Sequence, residues 1–135
     1  SGCGGSDSDS TSSAEVIPGL NGLWVSECTY LPNDNVYGID EQVIRGNSVS
    51  GTIYFYAPDT ACTGTALESL QYASQISYQG QVTLNNGLIV DSLISSDSIL
   101  SQGEQYNVYI QLINNQLVEY LDTSGNTTFV YDRGI

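Results

Sequence analysis

The chain has 135 residues, with fifteen Asp and Glu against two Arg, no Lys, His or Met, and a net charge of -13. That length suits one domain, and 40% hydrophobic residues suffice to bury a core. The charge argues against nucleic acid and against electrostatic docking on anionic lipid heads, since both need basic side chains. No apolar run approaches the roughly 20 residues of a membrane-crossing helix.

Residues 1–19 come first in chain order. They are mostly Gly, Ser, Thr and Asp, with apolar residues only at the end. The expectation is a disordered, solvated tether that reaches on the order of 60 Å when extended. Pro18-Gly19 marks where the folded domain, residues 20–135, begins. Within the tether, Ser1-Gly2-Cys3 followed by "GGSDSDS" resembles the processing site of bacterial lipoproteins. The resemblance implies that Cys3 carries a diacylglycerol and that Ser1-Gly2 are the last residues of a removed signal. It also implies a place in the bacterial cell envelope. Gly4 after Cys3, where an aspartate would act as a retention signal, implies sorting to the outer membrane. Several acyl chains make such anchoring stable where one is marginal. The cysteine count fits, because Cys3 is then the odd one and Cys28 and Cys62 remain in the domain. An oxidising periplasm permits a Cys28–Cys62 disulfide, which would close a long loop and add on the order of 3–4 kcal/mol. The alternative, a zinc site, has too few ligands without histidine.

From Leu20 onward polar and apolar residues alternate and β-formers dominate, so strands are expected throughout. They fall at residues 22–30, 39–45, 48–57, 74–84, 87–95, 104–113, 116–122 and 127–133. Residues 65–71 are ambiguous, since Leu67 and Leu70 also suit one helical turn. Gly46-Asn47, Asn85-Asn86-Gly87, Asn114-Asn115 and Ser124-Gly125-Asn126 are turn sequences. Eight or nine short strands with hairpin connections predict an all-β, antiparallel up-and-down barrel, since closure removes exposed edges.

Gly22-Leu23-Trp24 at the start of the first strand resembles the G-x-W motif of lipocalins. In that family an arginine on the last strand lies across the tryptophan and closes the barrel floor. Carried over, Gly22, Trp24 and Arg133 form the closure. More closely, the layout of residues 20–135 is similar to small lipid-anchored bacterial domains with a lipocalin-like barrel. "GLWVSEC" and "IYFYAPDTAC" match their two cysteine positions. Most such domains have no assigned activity, so the resemblance implies a fold and a disulfide but no reaction.

Catalytic groups are scarce. Without histidine or lysine, and with no free cysteine if Cys28 and Cys62 pair, no Ser-His-Asp triad or activated thiol can be built. Asp40 and Glu41 are adjacent on a strand and point to opposite faces. Glu119, Asp122 and Asp132 are carboxylates that the C-terminal strands can bring together, although a solvated acidic face is the plainer reading. Residues 31–40 carry oxygen ligands but lack the calcium-loop spacing of an EF-hand, so no metal and no cofactor is expected. The expectation is therefore a binding protein and not an enzyme. Tyr54, Phe55, Tyr56, Tyr106, Tyr109 and Ile110 are candidates to line a cavity for a small hydrophobic ligand. Alternation turns only about half of them inward. The alternative is an envelope interaction module, with a filled barrel that contacts protein or glycan. An open cavity lined by aromatics favours the first, a filled interior the second.

Overall fold

A computed structural model describes residues 14–97, 104–126 and 128–134. Cys3 and most of the expected tether lie outside the described residues. Among those described there are nine strands and no helix. They are β1 (Gly22–Ser26), β2 (Thr29–Leu31), β3 (Val36–Arg45), β4 (Ser48–Tyr56), β5 (Glu68–Thr83), β6 (Ile89–Asp97), β7 (Gln105–Ile113), β8 (Gln116–Tyr120) and β9 (Thr128–Arg133). From β3 to β9 each strand pairs antiparallel with the next. β1 then pairs with both β9 and β3, which closes an eight-stranded up-and-down barrel. β2 is the extra strand and pairs with β3 alone among the described strands.

Alternation explains the strands. Trp24, Ile44, Val49, Ile76, Leu93, Ile110 and Leu117 all sit on the inward parity and form one core. β5, 16 residues long, pairs with β4 through its first half and with β6 through the rest. That stagger tilts the strands as closure requires. The ambiguous residues 65–71 mostly feed this strand, where Leu70 pairs with Ile53. A register shift between Tyr78 and Gly80 bends β5. The β5–β6 hairpin then folds over the outer wall, where Leu84 and Leu88 pack with Val90, Tyr109, Val118 and Tyr120. The Asn85 N–H donates to the Thr123 carbonyl at 2.8 Å and ties this hairpin to the β8–β9 turn.

Two local expectations need correction. Residues 22–30 are two strands, because the chain breaks pairing at Glu27-Cys28. In the gap, the Asp40 N–H donates to Ser26 Oγ at 2.8 Å, a side chain standing in for a missing backbone partner. The stretch read as tether also packs at its end. Ile17 is buried beside Leu20, the first residue of the expected domain, and Val16 packs against the core. Ile17-Pro18-Gly19-Leu20 makes a turn with proline second and glycine third, closed by Leu20 N–H to the Ile17 carbonyl at 3.1 Å. A barrel end needs an apolar plug, and these residues supply it.

The disulfide is present. Cys28 and Cys62 are bonded with Cα atoms 6.0 Å apart, joining the β1–β2 connection to the β4–β5 loop.

Candidate functional site

The barrel is closed at one end. Trp24 is fully buried there and its indole N–H donates to the Leu20 carbonyl at 2.8 Å. The Arg133 guanidinium lies 4.0 Å from the centre of the Trp24 ring. It donates to the Gly19 and Asn21 carbonyls at 2.7 and 2.8 Å and to Asn115 Oδ1 at 3.3 Å. Gly22 is required beneath it: φ is +139°, and a Cβ would collide with Arg133 Nη1. Gly22, Trp24 and Arg133 thus meet at the floor.

Above the floor the barrel encloses a cavity of about 340 Å³. Its walls are mainly apolar and include Val49, Ile53, Ile76, Leu93, Val108 and Ile110. At the end opposite Trp24 it is lined by Leu31, Phe55, Tyr106, Leu121 and Phe129. Tyr106 and Leu121 are 41% and 48% exposed, which makes this end the mouth among the described residues. The disulfide and β2 sit at the same end, and Leu31 covers Gly38 on the mouth side of β3.

Of the six proposed lining residues, Phe55, Tyr106 and Ile110 face the cavity. Tyr54, Tyr56 and Tyr109 do not. Each is one residue away from an inward neighbour, so the pleat turns it to the outer wall. Tyr109 packs there in the outer cluster with Tyr120.

A polar group crosses the cavity. Asp40, from β3, points inward while Glu41 points out. The Tyr72 hydroxyl donates to Asp40, with its oxygen 2.8 Å from Oδ1 and 3.0 Å from Oδ2. The Tyr131 hydroxyl donates to Asp40 Oδ2 at 2.8 Å. Glu119, from β8, also faces the cavity and has Tyr131 as hydrogen-bond neighbour. Gly51 makes the Tyr72 contact possible. It pairs with Tyr72 across β4–β5, and the ring lies where a glycine Cβ would be, so the hydroxyl reaches over β4 to Asp40.

The two acids are not equivalent. Burial raises the pKa of Asp40, while the hydrogen bonds from Tyr72 and Tyr131 act against that rise. Burial, and then the charge of Asp40, push Glu119 up to about 7. Burial and the neighbouring carboxylates raise both tyrosines well above the ordinary phenol value. The cluster thus sets Asp40, which accepts from both tyrosine hydroxyls, against Glu119, whose carboxyl is pushed well above the usual range. Asp122 and Asp132 do not join Glu119. Asp122 caps the β8–β9 turn by accepting from Ser124, and Asp132 accepts from Gln116 Nε2 at 2.8 Å on the outer wall. Within the described residues, no three His, Cys, Asp or Glu side chains come together as a metal site would need.

Sequence reasoning missed this cluster, although a signal was there. Asp40 and Glu119 both occupy inward parity positions, between Gly38 and Gln42 and between Leu117 and Leu121. For Glu119 the signal is plain, since an acid in phase with Leu117 and Leu121 on one strand is the mark of a buried carboxylate; Asp40, between a glycine and a glutamine, carries no such mark.

Comparison with protein-family models, with curated proteins and with solved structures finds no match.

Proposed function

We propose that the chain is a lipid-anchored binding protein of the bacterial cell envelope that holds a small, largely apolar ligand in its barrel. The observation that carries the reading is the cavity: about 340 Å³, walled mainly by aliphatic and aromatic side chains, with a few convergent polar groups. Cavities of roughly 300–1,000 Å³ with this lining are the usual form of small-molecule sites. In a barrel of eight strands, side chains can also fill the interior completely. Here Gly38, Ser74 and Ser95 line the interior with little or no side chain and leave space. The anchor rests on Cys3 and its likeness to a lipoprotein processing site, with outer-membrane sorting from Gly4. We take binding over catalysis because the domain has no histidine or lysine and its two cysteines are bonded to each other.

The test is native mass spectrometry of the protein from its own host, followed by organic extraction. The reading expects a non-covalent companion of defined mass, released on denaturation, and a diacylglycerol-modified Cys3. Replacing Cys3 by Ser should move the protein from the membrane to the soluble fraction. A bare protein that takes up no apolar probe would move the reading to an interaction module.

A further inference from the structure

We infer that the ligand is a cationic amphiphile, an organic amine whose ammonium group sits between Asp40 and Glu119 while its apolar body fills the barrel. This deepens the reading above and rests on it. The cavity is mainly apolar, but both of its acidic side chains approach each other inside it. Neither has a cation beside it among the described residues. Of the two arginines, Arg133 is held on the floor by Trp24, Gly19 and Asn21, and Arg45 is exposed on the outward parity of β3.

Two acids without a counter-ion in an apolar cavity destabilise each other, and the protein carries that cost. An ammonium group removes it. It has three donors, matching the lone pairs that Tyr72 and Tyr131 leave on Asp40 and those of Glu119. It also favours the ionised form of both acids. A carboxylate ligand meets the opposite situation, since a third acid there would face Asp40 with no positive group beside it. The charge of the whole chain acts in the same direction and would draw cations toward the mouth.

Affinity for three probes of equal chain length, decylamine, decanol and decanoate, tests this by isothermal titration of the intact domain. At pH 8 decylamine should bind at least about tenfold more tightly than decanol, and decanoate more weakly than either. Asp40→Asn and Glu119→Gln should each lower the amine-to-alcohol ratio by about tenfold, a ratio that cancels any general loss of folding. Between pH 5 and 8 decylamine stays charged, so its affinity should rise as Glu119 loses its proton. Of the groups facing Glu119, Asp40 on β3, Tyr72 on β5 and Tyr131 on β9, the tyrosines do not ionise in this range. Val108→Phe keeps the net charge and fills the cavity. It should abolish amine binding, and amine binding that survives it would be surface attraction and would overturn the inference. Equal binding of amine and alcohol, or a preference for decanoate, also overturns it but leaves the apolar-ligand reading standing. Failure of all three probes removes both.

Discussion

Glu119→Gln should make the unliganded protein more stable at pH 8, although it removes a group from the interior. The glutamate has an ordinary value of 4.5 and is pushed up to about 7 in the fold. A raised carboxyl pKa means that the folded state binds the proton more tightly than the unfolded chain does. Stability from this group is therefore fully present below pH 4.5 and is lost as pH rises to about 7. At about 1.4 kcal/mol per unit, the loss reaches roughly 3 kcal/mol, less whatever water in the cavity screens. Glutamine has nearly the same shape, can still bond Tyr131, and carries no such cost. In a domain of this size 3 kcal/mol corresponds to a rise in Tm of roughly 10 °C. The assay is thermal or urea unfolding of both proteins at half-unit steps from pH 4.5 to 8.5. The difference between the two curves removes the general repulsion among the other acids. It should be small at pH 4.5 and grow in favour of the variant through pH 7. A flat difference, or a variant that loses stability at pH 8, would refute the placement of Glu119 in the low-dielectric interior beside Asp40.

Three further outcomes follow from particular contacts. Gly51→Ala should displace the Tyr72 ring, break its bonds to Asp40 and cost about 2–3 kcal/mol; denaturant unfolding measures it, and Ala at the exposed Ser50 serves as control. Arg133→Lys should cost about 2 kcal/mol, because an ammonium cannot both lie flat on Trp24 and reach the Gly19 and Asn21 carbonyls; the Trp24 fluorescence should change with it. Cys28→Ser with Cys62→Ser opens a loop with a sequence separation of 34 and should lower stability by about 3–4 kcal/mol, read from the urea midpoint.

Much of this architecture can be read from the sequence because a barrel strand has a period of two. Leu117 and Ile110, or Val49 and Ile53, announce their face by alternation, and Asn114-Asn115, both at positive φ, announce their turn. The closure was legible for another reason: the resemblance of Gly22-Leu23-Trp24 to the lipocalin motif implied a last-strand arginine across the ring, and Arg133 lies there. Three things were not legible. The phase of each strand could not be assigned from an aromatic pair such as Tyr54-Phe55, where either residue suits an interior. The plug formed by Ile17 and Leu20 was hidden by the polar residues before it, since its burial depends on a barrel end that only the closed sheet creates. The pairing of Asp40 with Glu119 depends on which strands face each other across the interior, and that distance is set by barrel closure, not by local pattern.

The central claim is that the inside of the barrel is a binding site. The most direct measurement is a methyl NMR titration of the Ile-, Leu- and Val-labelled domain with decylamine at pH 8. The account predicts that methyls of Ile53, Leu93, Val108 and Ile110 shift together and saturate at one equivalent, while those of Val43 and Val82 on the outer wall stay in place. Shifts confined to outer-wall methyls, or no interior shifts with saturating decylamine, decanol or decanoate, would contradict it.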